Sequence, residues 1–229
     1  MKNKKLVIIG TGEIANNAYE YFTCDSEYEV AAFSVNKNYF NYNKFLDLPV
    51  VCLEEIEKHY SPDKYYAFVA LGNGKLNHQR TILYNYIKLK GYKFASYISS
   101  HAFVWDNVQI GDNCFILQNN VLEPFVKIGD NVTLWSGNNI GHRSIIHDNC
   151  FISSQIVISG MCEIGKFSFM GVNSCTAENV KIAENNFIAM GACVNKNTKP
   201  NSMYTGNPAK NMNINTLEYF GVNLNNEME

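Results

Sequence analysis

The sequence predicts a small parallel α/β domain followed by a parallel solenoid of stacked six-residue units, and three observations predict it. An aliphatic residue recurs at every sixth position over about half of the chain; alternating apolar strands and helices fill the first 95 residues; and a glycine turn joins the first strand to the first helix. The repeat settles the larger part of the fold.

From Ile98 the register runs Ile98, Val104, Ile110, Ile116, Leu122, Ile128, Leu134, Ile140, Ile146, Ile152, Ile158, Ile164, Met170, Thr176, Ile182, Ile188 and Val194, with Thr176 the single departure. Small or medium residues recur two places earlier, among them Val108, Cys114, Asn120, Val126, Cys150, Cys162 and Ala192, and Gly follows the aliphatic residue at 111, 129, 141, 165 and 171. Ordinary strand alternation does not hold one frame of six for so long. Each unit reads as a short strand and a bend, with one large and one small side chain turned inward. Three units close one triangular coil, and stacking buries an aliphatic column that no single unit buries alone. The cysteines at 114, 150 and 162 then read as core filler.

Ahead of the repeats, Leu6–Gly10 reads as a buried strand, Ile14–Phe22 as a helix, Glu29–Phe33 as a second strand, Leu53–Tyr60 as helical and Tyr66–Leu71 as a third strand. Leu76–Lys90 reads as a helix ended by Gly91, and Lys93–Tyr97 as the last strand. The predicted organisation is an α/β domain over 1–95, a coil over 96–200, and a terminal loop and tail over 201–229. In that last part the register breaks at Lys199-Pro200, Asn201–Lys210 reads as a turn-rich loop, and Thr216–Gly221 as a short helix before a polar, frayed tail.

Composition narrows the function classes. The formal net charge of −2 in 229 residues, without long runs of one sign, favours neither a nucleic-acid backbone nor an anionic membrane. No stretch approaches a membrane span, and Leu6–Ile9 is too short for the apolar part of a signal sequence. Seven cysteines without a CxxC pair or a zinc-finger spacing fit a reduced, cytoplasmic protein with no disulfide framework and no structural metal.

Gly10-Thr-Gly12-Glu13-Ile14 follows the first strand and opens the first helix, the context in which main-chain N–H groups cradle a phosphate. A dinucleotide site places an acidic residue at the end of the second strand, where this chain has Phe33-Ser-Val-Asn36, so a nucleotide diphosphate is the better expectation than NAD. His142 stands two places after Ile140, outside both inward positions. The repeat therefore gives no packing reason for an imidazole there, and an imidazole suits proton transfer near neutral pH.

With these motifs the chain resembles the left-handed parallel β-helix sugar acyltransferases related to sialic acid O-acetyltransferase and the bacillosamine-pathway N-acetyltransferase. The handedness comes from that resemblance, since the general crossover rule points the other way. The resemblance implies a Rossmann-like amino-terminal domain that binds a nucleotide-linked amino sugar through Gly10, Gly12, Glu13, Ile14, Gly72 and Asn73, with Val35 and Asn36 nearest to the family's acidic pair. It implies His142 as general base for direct attack of a sugar amine on acetyl-CoA, with a main-chain N–H of a neighbouring coil stabilising the oxyanion. It implies acetyl-CoA in the groove between adjacent coils of a homotrimer, near Gly160, Val172 and Met190, with Pro208 and Lys210 in the Gly206-Asn-Pro-Ala-Lys210 element that lies along CoA. The implied setting is glycan biosynthesis.

In the N-acetyltransferase relatives an acidic residue follows the histidine, whereas here Arg143 does. Either another carboxylate orients the ring or the base is weaker. O-acetylation of a sugar hydroxyl is the alternative. A zinc enzyme of the gamma carbonic anhydrase type is the remote one: His142 and His147 have a suitable five-residue separation, but the place for the third ligand holds Asp106, and His101 is out of step.

Overall fold

In the computed structural model residues 2–224 are described. They divide into two compact units, one running to Gly72 and resuming over Arg80–Tyr97, the other taking in Asn73–Gln79 and the chain from Ile98 onward.

The first unit is a twisted sheet built from β1 (Lys4–Ile9), β2 (Tyr28–Val35), β3 (Lys44–Phe45), β4 (Leu48–Cys52), β5 (Tyr65–Val69) and β6 (Lys93–Phe94), in the order β3-β4-β2-β1-β5-β6. All neighbours are parallel except β3 with β4. Helix α1 (Glu13–Cys24) follows β1 and turns Ala15, Ala18 and Phe22 inward. Val7, Ile9, Ala32, Leu53, Ala67 and Val69 form the core of the opposite face, with α3 (His78–Leu89) contributing Tyr84 and Ile87. Because β1 sits centrally and its apolar run is buried, its carboxyl end delivers the glycine turn to the point where the strand order reverses, between β2 on one side and β5 on the other.

In three places this region differs from the sequence reading. The hairpin β3–β4 has no counterpart among the expected elements, because its Asn-rich, exposed surroundings carry no apolar alternation. The helical stretch expected over Leu53–Tyr60 is present, as a 3₁₀ turn, Leu53–Glu55, that runs on into α2 (Ile56–His59). Helix α3 starts at His78 rather than Leu76, since Lys75, Leu76 and Asn77 all hold positive φ. The strand expected over Lys93–Tyr97 splits: Ala95 still donates to Ala67 O, but Tyr97–Ile98 is the first strand of the coil.

The second unit is the coil. Each short strand pairs with its counterpart three units further along the chain, as in Phe115↔Thr133, Thr133↔Phe151 and Phe151↔Phe169, so that three parallel sheets form. Among the described residues the sheets hold eight, six and five strands. The corners are turned by left-handed residues at a spacing of six, half of them Asn, at 113, 119, 131, 149, 173, 179 and 185; Asn tolerates this conformation better than other non-glycine residues. Inside, Ile116, Leu122, Leu134, Ile140, Ile146, Ile152, Ile158 and Ile164 are fully buried, as are Cys114 and Cys150. Thr176, the departure from the register, is buried as well, and its Oγ1 accepts from Ser159 N–H at 3.1 Å. The column is looser at its first rung, where Ile98 remains 40% exposed.

At the far end the expected loop over 201–210 keeps its turn at residues 206–209 but is strand on either side of it. Ser202–Thr205 continues the first sheet in parallel with Phe187–Ile188, and Lys210–Asn215 returns antiparallel. Tyr204 pairs with Ile188 and supplies one further inward rung, two places earlier than the repeat requires, which is why a strict period of six loses it. Asn215 caps α4 (Thr216–Tyr219) by accepting from Leu217 N–H. Of the expected frayed tail, residues 225–229 lie outside the described residues.

Truncation in the middle of the column tests its role. Ile152→Ala, at a position with no exposed surface, is expected to destabilise the chain by about 2–5 kcal/mol, measured as a lowered urea midpoint at unchanged slope.

Candidate active site

His142 occupies the corner between strands Asn139–Ile140 and Ile145–Ile146, and its side chain is 45% exposed. Arg143 makes the bend with φ of 58° and donates its N–H to Pro124 O on the preceding coil. The Arg143 guanidinium sits over the Phe125 ring, 4.5 Å from its centroid.

The neighbouring coils hold the imidazole from both sides. From the coil before, Glu123 Oε2 accepts the His142 backbone N–H at 2.8 Å and lies 3.4 Å from Nδ1. From the coil after, Gly160 lies directly against the ring: a Cβ on it would stand 2.5 Å from Cε1 and 2.8 Å from Nδ1. Glycine leaves the ring room in this orientation, and any larger residue would make it turn away; the backbone itself is ordinary. Met161 N–H donates to His142 O at 2.8 Å and fixes the spacing of the two coils at this corner.

A carboxylate facing Nδ1 favours the tautomer protonated at Nδ1 and leaves the Nε2 lone pair to accept a proton. The Glu123 carboxylate thus faces the ring from the preceding coil, whereas the residue that follows His142 in the chain is the basic Arg143. Glu123 belongs to the preceding coil and is distant from His142 in sequence; its signal there is an acidic residue one coil back and one place off register.

The other anticipated residues fall into three groups. Gly10, with φ of +120°, ends β1, where a Cβ would meet Ala70 O at 2.9 Å; Gly12 is the N-cap of α1, and a Cβ there would meet nothing within 4 Å. Glu13 and Ile14 open the helix, Val35 and Asn36 end β2, and Gly72 follows β5, so these share the carboxyl edge of one sheet. Asn73 is exposed and groups with the coil unit. On the coil, Val172 and Met190 stack one above the other on successive turns at another corner and are 43% and 78% exposed. Pro208 and Lys210 lie exposed on the turn and strand that follow Tyr204, while Ala209 between them packs on the core.

Two further groups at the sheet edge carried no sequence signal. Tyr42 donates its hydroxyl to Thr11 Oγ1 at 2.6 Å inside the glycine turn, and the Glu54 carboxylate accepts the Lys37 N–H just past β2. His147 is engaged elsewhere: its Nε2 lies 2.9 Å from Glu163 Oε1, and hydrogen bonds from His147 and Lys181 hold the Glu163 carboxyl below its usual range. Among the described residues no group of three or more His, Cys, Asp or Glu side chains is arranged to hold a metal ion, and no helix is long and apolar enough to cross a membrane.

Residues 107–142 match the family model described as bacterial transferase hexapeptide (six repeats). The fold is shared with a histidine-to-asparagine mutant of perosamine N-acetyltransferase from Caulobacter crescentus, solved with CoA and GDP-perosamine, at a TM-score of 0.82 and 21% identity over 92% of this chain and 97% of that one. It is shared too with the acetyltransferase domain of PglB from Neisseria gonorrhoeae FA1090 in complex with acetyl coenzyme A, at a TM-score of 0.80 and 21% identity over 92% and 100%.

The coil from Ile98 onward has the left-handed parallel β-helix fold of those acetyltransferases, and residues 107–142 carry the hexapeptide repeat.

The amino-terminal sheet is the Rossmann-like domain that accompanies the β-helix in those acetyltransferases. A sequence relative, UDP-3-O-acylglucosamine N-acyltransferase from Campylobacter lari, is 30% identical over 129 residues, 48% of this chain and 40% of that protein. The chain thus spans about two fifths of that relative's length.

Proposed function

We propose that this hexapeptide-repeat protein is an acetyl-CoA-dependent N-acetyltransferase acting on the amino group of a nucleotide-linked sugar, with His142 as general base. The observation that carries the reading is the corner itself: an imidazole that the repeat does not require, backed at Nδ1 by Glu123 and given room by Gly160. Further support comes from the perosamine and PglB enzymes, which share the fold and whose structures hold CoA with GDP-perosamine and acetyl coenzyme A respectively.

The unprotonated amine attacks the thioester carbonyl carbon, and His142 Nε2 takes the proton that the nitrogen loses as the C–N bond forms. A main-chain N–H of a neighbouring coil steadies the oxyanion. Collapse breaks the C–S bond, and the imidazolium returns its proton to the departing thiolate. Glu123 supports the transient imidazolium and keeps the ring from turning. Acetyl-CoA lies along Gly160, Val172 and Met190 and on to Pro208 and Lys210, in the groove between two coils of a homotrimer. The nucleotide is held by the main chain of Gly10, Gly12, Glu13 and Ile14 at the start of α1, by Val35 and Asn36, and by Gly72 and Asn73. The protein acts in the cytoplasm, in the synthesis of a glycan that carries the acetylated amino sugar.

The test is a thiol-release assay with acetyl-CoA and a panel of UDP-, dTDP- and GDP-linked 3-amino and 4-amino sugars. At least one amino sugar is expected to support release; release with a sialic acid alone favours the hydroxyl acceptor and contradicts the proposal. In the same assay Glu123→Gln, which keeps an acceptor for the His142 N–H but removes the charge facing Nδ1, is expected to lower kcat about 10-fold to 100-fold with the KM for acetyl-CoA unchanged.

A further inference from the structure

One column of the coil carries a ladder of side-chain amides that breaks at a single rung. Asn113 Nδ2 donates to Asn131 Oδ1 at 2.8 Å, and Asn131 Nδ2 to Asn149 Oδ1 at 2.9 Å. The next rung is Phe167, after which Asn185 Nδ2 donates to Asn201 Oδ1 at 2.9 Å. The broken rung is filled by His78. Its ring stacks on Phe167 with centroids 4.1 Å apart and planes within 1°, and its Nε2 lies 3.3 Å from Asn185 Oδ1. Since Asn185 gives its Nδ2 to Asn201, its oxygen is the acceptor and His78 Nε2–H the donor. Burial pushes the His78 pKa below its ordinary value, in keeping with a neutral ring packed between coil and turn.

The residues before His78 follow an unusual backbone path. Lys75, Leu76 and Asn77 hold φ of 47°, 52° and 69°, a left-handed run that non-glycine residues keep only where their surroundings determine it. Leu76 and Asn77 are buried, and Asn77 N–H donates to Asn73 O at 3.3 Å, which ties Asn73 to the anchored turn. The whole segment, Asn73–Gln79, groups with the coil.

We infer that His78 is a positioning residue for nucleotide-sugar binding: its stack on Phe167 and its hydrogen bond to Asn185 hold segment Asn73–Gln79 on the coil and so place Asn73. This rests on the reading that Asn73 contacts the nucleotide sugar.

The experiment takes the amino-sugar nucleotide that supports thiol release and compares His78→Ala, Asn73→Ala and the double variant. His78→Ala is expected to raise the KM for the nucleotide sugar about tenfold, with kcat within about twofold and the KM for acetyl-CoA unchanged. The double variant is expected to do no worse than Asn73→Ala alone, because the two residues act through one contact. His78→Gln, which keeps an N–H donor for Asn185, is expected to recover part of the loss and serves if the alanine variant folds poorly. A normal KM in both His78 variants beside a raised KM in Asn73→Ala overturns the anchor, as do independent, additive effects. A normal KM in Asn73→Ala overturns the reading of Asn73 and the anchor with it.

Discussion

Replacing His142 with alanine is expected to lower kcat about a thousandfold, within the range for loss of a general base, while the KM values for acetyl-CoA and sugar change little. The side chain is 45% exposed and lies outside both inward positions of the repeat, so its removal leaves no cavity in the aliphatic column. The urea midpoint of the variant is therefore expected to match that of the parent, which separates a chemical loss from a structural one. Retention of more than about a tenth of the activity, at the same stability, contradicts the assignment of the base.

Gly160→Ala is expected to be nearly as damaging, although it deletes no functional group. Its methyl carbon would stand 2.5 Å from His142 Cε1, and the ring has to turn away from it. Turning the ring breaks its alignment with Glu123 and moves Nε2 from the place where it takes a proton. An ångström-scale displacement at a reacting centre costs about a hundredfold in rate, and a loss of that order in kcat is expected. The effect on kcat runs through one ring, so adding Gly160→Ala to His142→Ala is expected to produce no further loss in kcat, any effect of the methyl group on the acetyl-CoA groove being read in the KM for acetyl-CoA; a multiplicative loss in kcat places the role of Gly160 elsewhere.

The coil was legible because its signal is redundant. Burial acts at every sixth residue, and an inward rung such as Ile146 is supported by equivalent rungs on the coils before and after it. Even Thr176 occupies its inward place, since a hydroxyl that finds a partner on the adjacent strand is tolerated in an aliphatic column. Features that depend on which coil lies beside which, rather than on periodicity, were not legible. Glu123 reaches His142 across a coil boundary, Tyr204 joins the column ahead of its turn, and His78 fills a rung that sequence spacing assigns to residue 167. The α/β unit was readable where strands are buried and continuous, as in β1. It was unreadable in the hairpin of β3 and β4, whose two short strands are too brief to show an alternation and are joined by the left-handed pair Leu46-Asp47.

Transfer of an acetyl group from CoA to a sugar nitrogen, with His142 as the base, is tested most directly by mass spectrometry of the product before and after mild alkaline hydroxylamine, which cleaves esters and spares amides. The nucleotide sugar is expected to gain one acetyl group that survives the treatment, and His142→Ala to form almost none; an acetyl group removed by hydroxylamine, or one formed at the parent rate by His142→Ala, contradicts that chemistry.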